Sequence, residues 1–336
     1  MITQKHPSLK PYNTFHIDCR CKELLIVEDE SDFEELFSKR VFCQPFLIIG
    51  EGSNMLFTKD FEGTVIKLAT KGMEIINEDD DYVYIRVAGG ENWSDFVRFT
   101  IENKFYGAEN LIGIPGLVGS CPVQNIGAYG SEVKDIIYQV EGFYLPDGEP
   151  FVFYNEECEF AYRDSIFKKE LKDRCLITEV VFKLSKEEHY NLTYKQLKET
   201  IEQTGDTVTL ELMAETVQKI RNSKLPDITK VGCAGSFFKN PVVSEAKFAE
   251  LSAKFDNLVH YPAPGGVKLA AGQLIEDCGW KEIRKGDVSV YPTQALVIVN
   301  WGNAKGKEVV DYYQQIIKSV QEKYGITIEP EVRIVN

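Results

Sequence analysis

An α+β protein is what the sequence predicts, and three observations predict it. Strand-like runs crowd the first two-thirds of the chain. Helical periodicity takes over after about residue 210. Between the strand-like runs lie two glycine-rich segments, GEGSN at 50–54 and IPGLVGSCPVQNIGAYG at 114–130, which are poor helix and poor strand.

Taken in order, residues 31–39 read as a short helix opened by Ser31, with Glu34 three residues on as a capping box. FLIIG and GTVIKL are strands on either side of the first glycine loop. DYVYIRVAGG alternates Val83, Ile85 and Val87 against Tyr82, Tyr84 and Arg86, the pattern of a half-buried strand. NWSDFVRFTIENK sets Trp93, Phe96, Val97, Thr100 and Ile101 on one helical face. IIYQVEGFYL and PFVFY flank PDGE at 146–149 and read as a hairpin; RCLITEVVFKLS is a further strand. Beyond residue 210, MAETVQKIRNSKLP is a helix running into a proline stop, GQLIEDCG is a short helix and ALVIVN a buried strand. KGKEVVDYYQQIIKSVQEKYG is a long amphipathic helix. It turns Val309, Val310, Tyr313, Ile316, Ile317 and Val320 inward and stops at Gly325. IEPEVRIV closes the chain as a strand.

A chain of 336 residues can hold two or three domains. Hydrophobic residues at 43% and charged residues at 27% fit a soluble globular protein. A net charge of −14 argues against nucleic-acid binding, which needs a basic face. The eight cysteines form no C-x-x-C pair and the four histidines are scattered, so no metal site is expected. The N-terminus is polar and no apolar run reaches about 18 residues, so a reduced, cytoplasmic protein without a membrane partner is the simplest reading.

The glycine loops offer backbone N–H groups on a chain that a ligand can approach closely. Consecutive amides form an anion nest, which suits a diphosphate-bearing nucleotide cofactor. Ordinary surface loops are the competing reading of either loop alone. GEGSNM lacks the third glycine of a dinucleotide fingerprint, and no G-x-x-x-x-G-K-[ST] occurs, so the cofactor must sit in another architecture.

Other segments carry candidate chemistry. Arg163 in YRDS could clamp a carboxylate or stabilise an enolate, or simply pair with Asp164 or across a strand. Ser236 in GCAGSFFKNP could be a proton donor shielded by Phe237 and Phe238, or a loop serine making a turn. In EPEVR at 329–333, period two would put Glu329, Glu331 and Arg333 on one face of an extended strand, or on a solvated edge. KIRNSKLP at 219–226 gathers Lys219, Arg221 and Lys224, which could meet phosphates or close a helix. Tyr194 in NLTYKQL, a polar linker, could stack on a base or pack.

In combination, and in this order, NTF (13–15), GEGSN, the 114–130 loop, YRDSIFK, SKLPD (223–227), AGSFFKNP and EPEVR resemble the UDP-N-acetylenolpyruvoylglucosamine reductases over nearly the whole chain. Tyr194 in LTY resembles the type I subtype, in which a tyrosine-bearing insertion closes over substrate. The resemblance implies a three-domain flavoprotein of α+β class. Residues 1–70 with 332–336, and 71–214, would hold FAD in the fold of vanillyl-alcohol oxidase (PCMH)-type flavoproteins; 215–331 would bind the UDP-sugar. Gly50, Glu51, Gly52, Ser53 and Asn54 would contact FAD from the first loop. Ile114, Pro115, Gly116, Gly119 and Ser120 would do so from the second, joined by Val123, Asn125, Gly127, Tyr129 and the C-terminal Arg333. NADPH would be the reductant and UDP-N-acetylglucosamine enolpyruvate the acceptor, with hydride passing from flavin N5 to the substrate. Arg163 and Glu331 would stabilise the enolate and Ser236 would protonate it. Tyr194, Arg221, Lys224, Asn240 and Gln294 would bind substrate. No histidine lies in either glycine loop, so non-covalent FAD is expected, in a monomer. Cys121 stands where relatives commonly carry a second serine, which removes one hydroxyl contact to the cofactor. A different flavin oxidase, or a nucleotide-sugar binder without flavin, would fit fewer of these segments.

Overall fold

Alternating apolar and polar residues build the sheets, and a computed structural model describes their arrangement for all residues 1–336. The chain falls into two units. The first comprises residues 1–7, 21–51 and 62–221; the second comprises 8–20, 52–61 and 222–336.

The first unit centres on a five-stranded sheet with strand order Pro150–Tyr154, Ile137–Tyr144, Cys175–Ser185, Tyr82–Ala88, Met73–Glu78, antiparallel throughout. Val83, Ile85 and Val87 are fully buried, as their alternation requires. The helix Trp93–Glu102 covers them with Trp93, Phe96, Val97, Thr100 and Ile101. Phe96 stacks on Phe182 of the central strand at 4.3 Å between ring centres. A second sheet has the order Ile2–Lys5, Cys21–Val27, Phe61–Leu68, Phe46–Ile49, and its last two strands run parallel.

Two local expectations for this unit need correction. The helix Ser31–Ser38 is not opened by a Ser31–Glu34 box. Aspartates do that work. Asp29 accepts from the Ser31 amide and hydroxyl, while Asp32 accepts from the amides of Glu28 and Asp29 and from the Met1 ammonium at 2.7 Å. A carboxylate offers more acceptor sites than a hydroxyl. The polar stretch after Tyr194 is a helix, Lys195–Thr204, burying Leu197 and Ile201 against Met213, Val217 and Ile220 of the helix Leu210–Lys224.

The second unit holds an antiparallel sheet ordered Gly232–Ser236, Gln294–Asn300, Val288–Tyr291, Arg284–Lys285. The helix Gly306–Tyr324 buries Val309, Tyr312, Tyr313, Ile316, Val320 and Tyr324, and ends at Gly325 in the left-handed conformation. Val310 and Ile317, expected inward, sit half-buried at the edge of the stripe. Tyr312 takes the inner place, because its hydroxyl donates to the Ile283 carbonyl at 2.8 Å and accepts from the Val290 amide at 3.1 Å.

The NTF segment belongs to this second unit. Phe15 is fully buried, Thr14 Oγ1 donates to the Cys233 carbonyl at 2.6 Å, and Asn300 Nδ2 donates to the Phe15 carbonyl at 3.0 Å. The C-terminus departs from the expected continuous strand. Residues 329–331 pair antiparallel with 237–239, through Lys239 N–H to Glu329 O at 3.0 Å and Glu331 N–H to Phe237 O at 2.8 Å. The chain then bends at Val332, and Arg333–Val335 runs parallel to Met55–Phe57. Because the segment changes partner midway, period two does not carry from Glu329 to Arg333. Glu329 is exposed, whereas Glu331 and Arg333 are half-buried.

Candidate active site

In the first unit a single carboxylate ties the two glycine loops together. Glu51 accepts from the Gly116 amide at 2.9 Å and from Asn92 Nδ2 at 2.8 Å. Asn92 also caps the helix Trp93–Glu102, its Oδ1 accepting from Ser94 and Asp95. One end of the second loop is therefore fixed relative to a buried helix. Ser120 Oγ donates to the Leu117 carbonyl at 2.7 Å, and a Cβ on Gly50 would stand 3.4 Å from Ser120 Oγ. A Cβ on Gly119 would stand 3.0 Å from Gly89 Cα. Gly50, Ile114, Pro115, Gly119 and Ser120 remain half-buried, so small groups and backbone are within a ligand's reach. Cys121 points the other way. It is buried in the hydrophobic core, and burial holds its thiol protonated, so it is a packing residue rather than a weak substitute for a hydroxyl.

Three side chains bolt YRDS to the 114–130 loop. Asn125, fully buried, donates to the Ala161 carbonyl at 3.0 Å. Ser165, fully buried, donates to the Val123 carbonyl at 2.7 Å. Arg163 donates to the Gly127 carbonyl at 2.8 Å. A Cβ on Gly127 would approach the Arg163 guanidinium to 3.1 Å, so glycine is what lets the fork lie against the loop. Arg163 itself adopts φ +56°, a left-handed conformation costly for such a side chain. Asp164 binds Lys169 at 3.0 Å.

The far end of the loop meets the tyrosine segment. Tyr129 and Tyr194 pack edge to face at 5.2 Å between centres. Tyr129 also bonds Arg221, and burial raises its phenol to about 12. Burial lowers the Arg221 guanidinium, and Tyr129 partly offsets this.

The second unit assembles its candidates by backbone pairing. Ser236 ends the strand Gly232–Ser236 after a bulge, with Gly235 at φ +68°. It is exposed. The expected aromatic shield is absent within this unit, because Phe237 and Phe238 turn into the core, packing with each other and with Phe15 and Tyr313. Next to this strand, Glu331 is held at both backbone ends: its amide donates to Phe237 and its carbonyl accepts from Asn54 Nδ2 at 3.4 Å. Asn54 O in turn accepts from the Arg333 amide at 3.0 Å. Ser236, Glu331, Asn54 and Arg333 thus share one hydrogen-bonded patch of chain. Ser53 is half-buried beside Asn54, and Gly52 is buried with Tyr12 O only 2.2 Å from where its Cβ would be.

The remaining candidates have structural partners too. Asn240 Oδ1 accepts from the Ala271 amide at 3.0 Å, opening the helix Ala271–Asp277. The Lys224 carbonyl accepts from Thr293 Oγ1 at 3.0 Å, which places Lys224 beside the turn leading to Gln294. No group of three His, Cys, Asp or Glu side chains is set to hold a metal. Pattern reasoning missed Asn92 and Ser165. Asn92 directly precedes an amphipathic run, the position of an N-cap, and could have been found.

Two half-buried glycine loops, cross-tied by Glu51 and flanked by a fixed arginine, fit a diphosphate-bearing flavin cofactor. Residues 28–153 match the family described as FAD binding domain. Residues 227–335 match the family described as UDP-N-acetylenolpyruvoylglucosamine reductase, C-terminal domain. The chain is similar to the UDP-N-acetylenolpyruvoylglucosamine reductase of Shewanella sediminis, with 44% identity over 100% of this chain and 97% of that one. The protein of that name from Flavobacterium johnsoniae is 43% identical over 100% of both. Among solved structures, the reductase (MurB) of Thermus caldophilus matches with a TM-score of 0.70 and 26% identity over 100% of both chains.

These findings define an FAD-dependent oxidoreductase, α+β in class, with an FAD-binding domain ahead of a reductase C-terminal domain. The chain belongs to the UDP-N-acetylenolpyruvoylglucosamine reductase family.

Proposed function

We propose that the protein reduces UDP-N-acetylglucosamine enolpyruvate to UDP-N-acetylmuramate at the expense of NADPH, as a step of peptidoglycan precursor synthesis. The observation that carries this reading is Arg163: a guanidinium fixed by a strained backbone and by the Gly127 carbonyl, in a chain that aligns end to end with named reductases. FAD, bound without a covalent link, supplies hydride transfer between the two substrates.

The protein's own groups do the rest. Glu51 holds the loop so that Gly50, Gly116, Gly119 and Ser120 face the cofactor, with Gly52, Ser53, Asn54, Ile114, Pro115, Val123, Asn125, Gly127, Tyr129 and Arg333 completing its site. The Arg163 fork meets negative charge developing on the substrate carboxylate. Glu331 must carry a proton to serve the same charge, because a bare carboxylate would repel it. Ser236 gives a proton to the α-carbon; its exposure within its own unit leaves the hydroxyl free to rotate toward that carbon. Tyr194, Arg221, Lys224, Asn240 and Gln294 hold the sugar nucleotide. We assign residues 1–70 with 332–336 and residues 71–214 to cofactor binding, and 215–331 to substrate, in a cytosolic monomer.

The direct test is product analysis. FAD-loaded protein given NADPH and the enolpyruvyl sugar nucleotide should yield a product heavier by two hydrogens, one NADPH being consumed per product. NADPH consumption without that product would remove the substrate from the reading.

A further inference from the structure

We infer that Asn110 is a positioning residue for the Tyr194 segment, fastening it to the end of the 114–130 loop and so setting affinity for the sugar nucleotide. The inference rests on the proposed placement of Tyr194 at the substrate.

Asn110 lies in the short 3-10 turn Glu109–Leu111 and is only 1% exposed. Its Nδ2 donates to two carbonyls far apart in sequence, Tyr129 O at 2.8 Å and Asn191 O at 2.9 Å. Asn191 closes the same joint from the other side. Its Nδ2 donates to Gly130 O at 2.9 Å and Ser131 Oγ at 3.1 Å, and its Oδ1 accepts from the amide and hydroxyl of Thr193. At that crossing the two segments touch. A Cβ on Gly130 would stand 2.3 Å from Thr193 Oγ1, and Gly130 adopts φ +89°.

Tyr194 follows immediately and starts the helix Lys195–Thr204. Tyr194 is 36% exposed, and its ring rests edge-on against that of Tyr129. An exposed tyrosine on a linker tied at neither end would lose much conformational freedom on covering a ligand. Here two asparagines have already fixed its base, so less ordering is left to binding. The chemistry selects asparagine. Its neutral amide presents two N–H donors from one nitrogen, whereas aspartate would set oxygen against two carbonyls.

The test uses the full chain saturated with FAD. Asn110→Ala and Asn191→Ala are made alone and combined with Tyr194→Ala. Equilibrium binding of UDP-N-acetylglucosamine enolpyruvate to the oxidised protein is measured by calorimetry, with flavin content and Tm recorded beside it. Each asparagine substitution should weaken binding about tenfold in the presence of Tyr194 and less than about twofold in its absence, which is the signature of coupled residues. Equal losses in both backgrounds would overturn the inference, as would loss of FAD with the sugar-nucleotide affinity kept. If Asn110→Ala does not fold, Asn191→Ala carries the same test from the opposite side of the joint. Unchanged affinity in Tyr194→Ala alone would instead remove Tyr194 from the substrate site, and this inference with it.

Discussion

Arg163 and Ser236 are held in contrasting ways. Arg163 sits on a strained backbone inside a lattice of buried side-chain bonds from Asn125 and Ser165 to loop carbonyls. Ser236 is the exposed end of a largely buried strand, positioned by backbone pairing, with its neighbours Phe237 and Phe238 buried beneath it. The contrast matches the two chemical tasks proposed for them. A group that stabilises developing charge works best when it is pre-set and does not reorganise. A hydroxyl that hands over a proton must rotate, and needs only its backbone fixed.

The largest expected effect tests the mobile side. Ser236→Ala should cut turnover of the enolpyruvyl substrate by about 10²–10⁴-fold, the usual worth of general acid catalysis, while NADPH still reduces the flavin and Tm stays put. Stopped-flow absorbance of the two half-reactions measures this directly. Undiminished turnover would remove Ser236 from the chemistry.

Arg163→Lys probes the rigid side. The charge stays, but the planar fork that engages the Gly127 carbonyl is lost, and turnover should fall about 10²–10³-fold. A loss under about threefold, small beside that range, would mean that charge alone suffices and that the strained geometry has no catalytic purpose.

Ser165→Ala sharpens the comparison without touching a reacting group. It leaves the Val123 carbonyl without its donor and should cost about 1–3 kcal/mol of stability, read from urea midpoints. Turnover should also fall modestly, because the Arg163 loop loosens. Lost stability with full activity would separate the lattice from the catalytic geometry.

Alkaline pH gives the gentlest probe. Burial pushes the thiols of Cys158 and Cys175 from 9.0, and the phenols of Tyr129 and Tyr312 from 10.0, to about 12. The folded state keeps these groups protonated after the unfolded chain has begun to release protons. Their contribution is therefore complete below about pH 9 and is lost progressively toward about pH 12. The first three belong to the unit of Arg163, while that of Ser236 holds Tyr312 together with Cys233, Tyr313 and Tyr324, which burial also pushes up. Segment-resolved hydrogen exchange at rising pH should show both units loosening across this window. A unit whose protection is unchanged at about pH 12 would contradict that linkage.

Much of this was legible in the sequence, for physical reasons. The helix Trp93–Glu102 and the strand Tyr82–Ala88 each bury the residues their periodicity selects, because one wet face and one dry face leave no alternative. The helix Lys195–Thr204 was hidden, since only Leu197 and Ile201 are buried in it. The C-terminal segment misled because Pro330 and the bend at Val332 break a period that holds only in an unbroken strand. Ser165 and Asn110 were invisible for another reason. Their partners, Val123, Tyr129 and Asn191, lie 19 to 81 residues away, and nothing local to a buried serine or asparagine says which carbonyl it will meet. Arg163 could be nominated, but its left-handed backbone, which separates a fixed guanidinium from a surface one, is a tertiary fact.

The proposed reaction is tested most directly by the flavin absorbance of the purified, FAD-loaded protein under anaerobic conditions, followed through NADPH and then UDP-N-acetylglucosamine enolpyruvate. Bleaching by NADPH and recovery on adding the sugar nucleotide is the predicted result. Bleaching that the sugar nucleotide fails to reverse would contradict it.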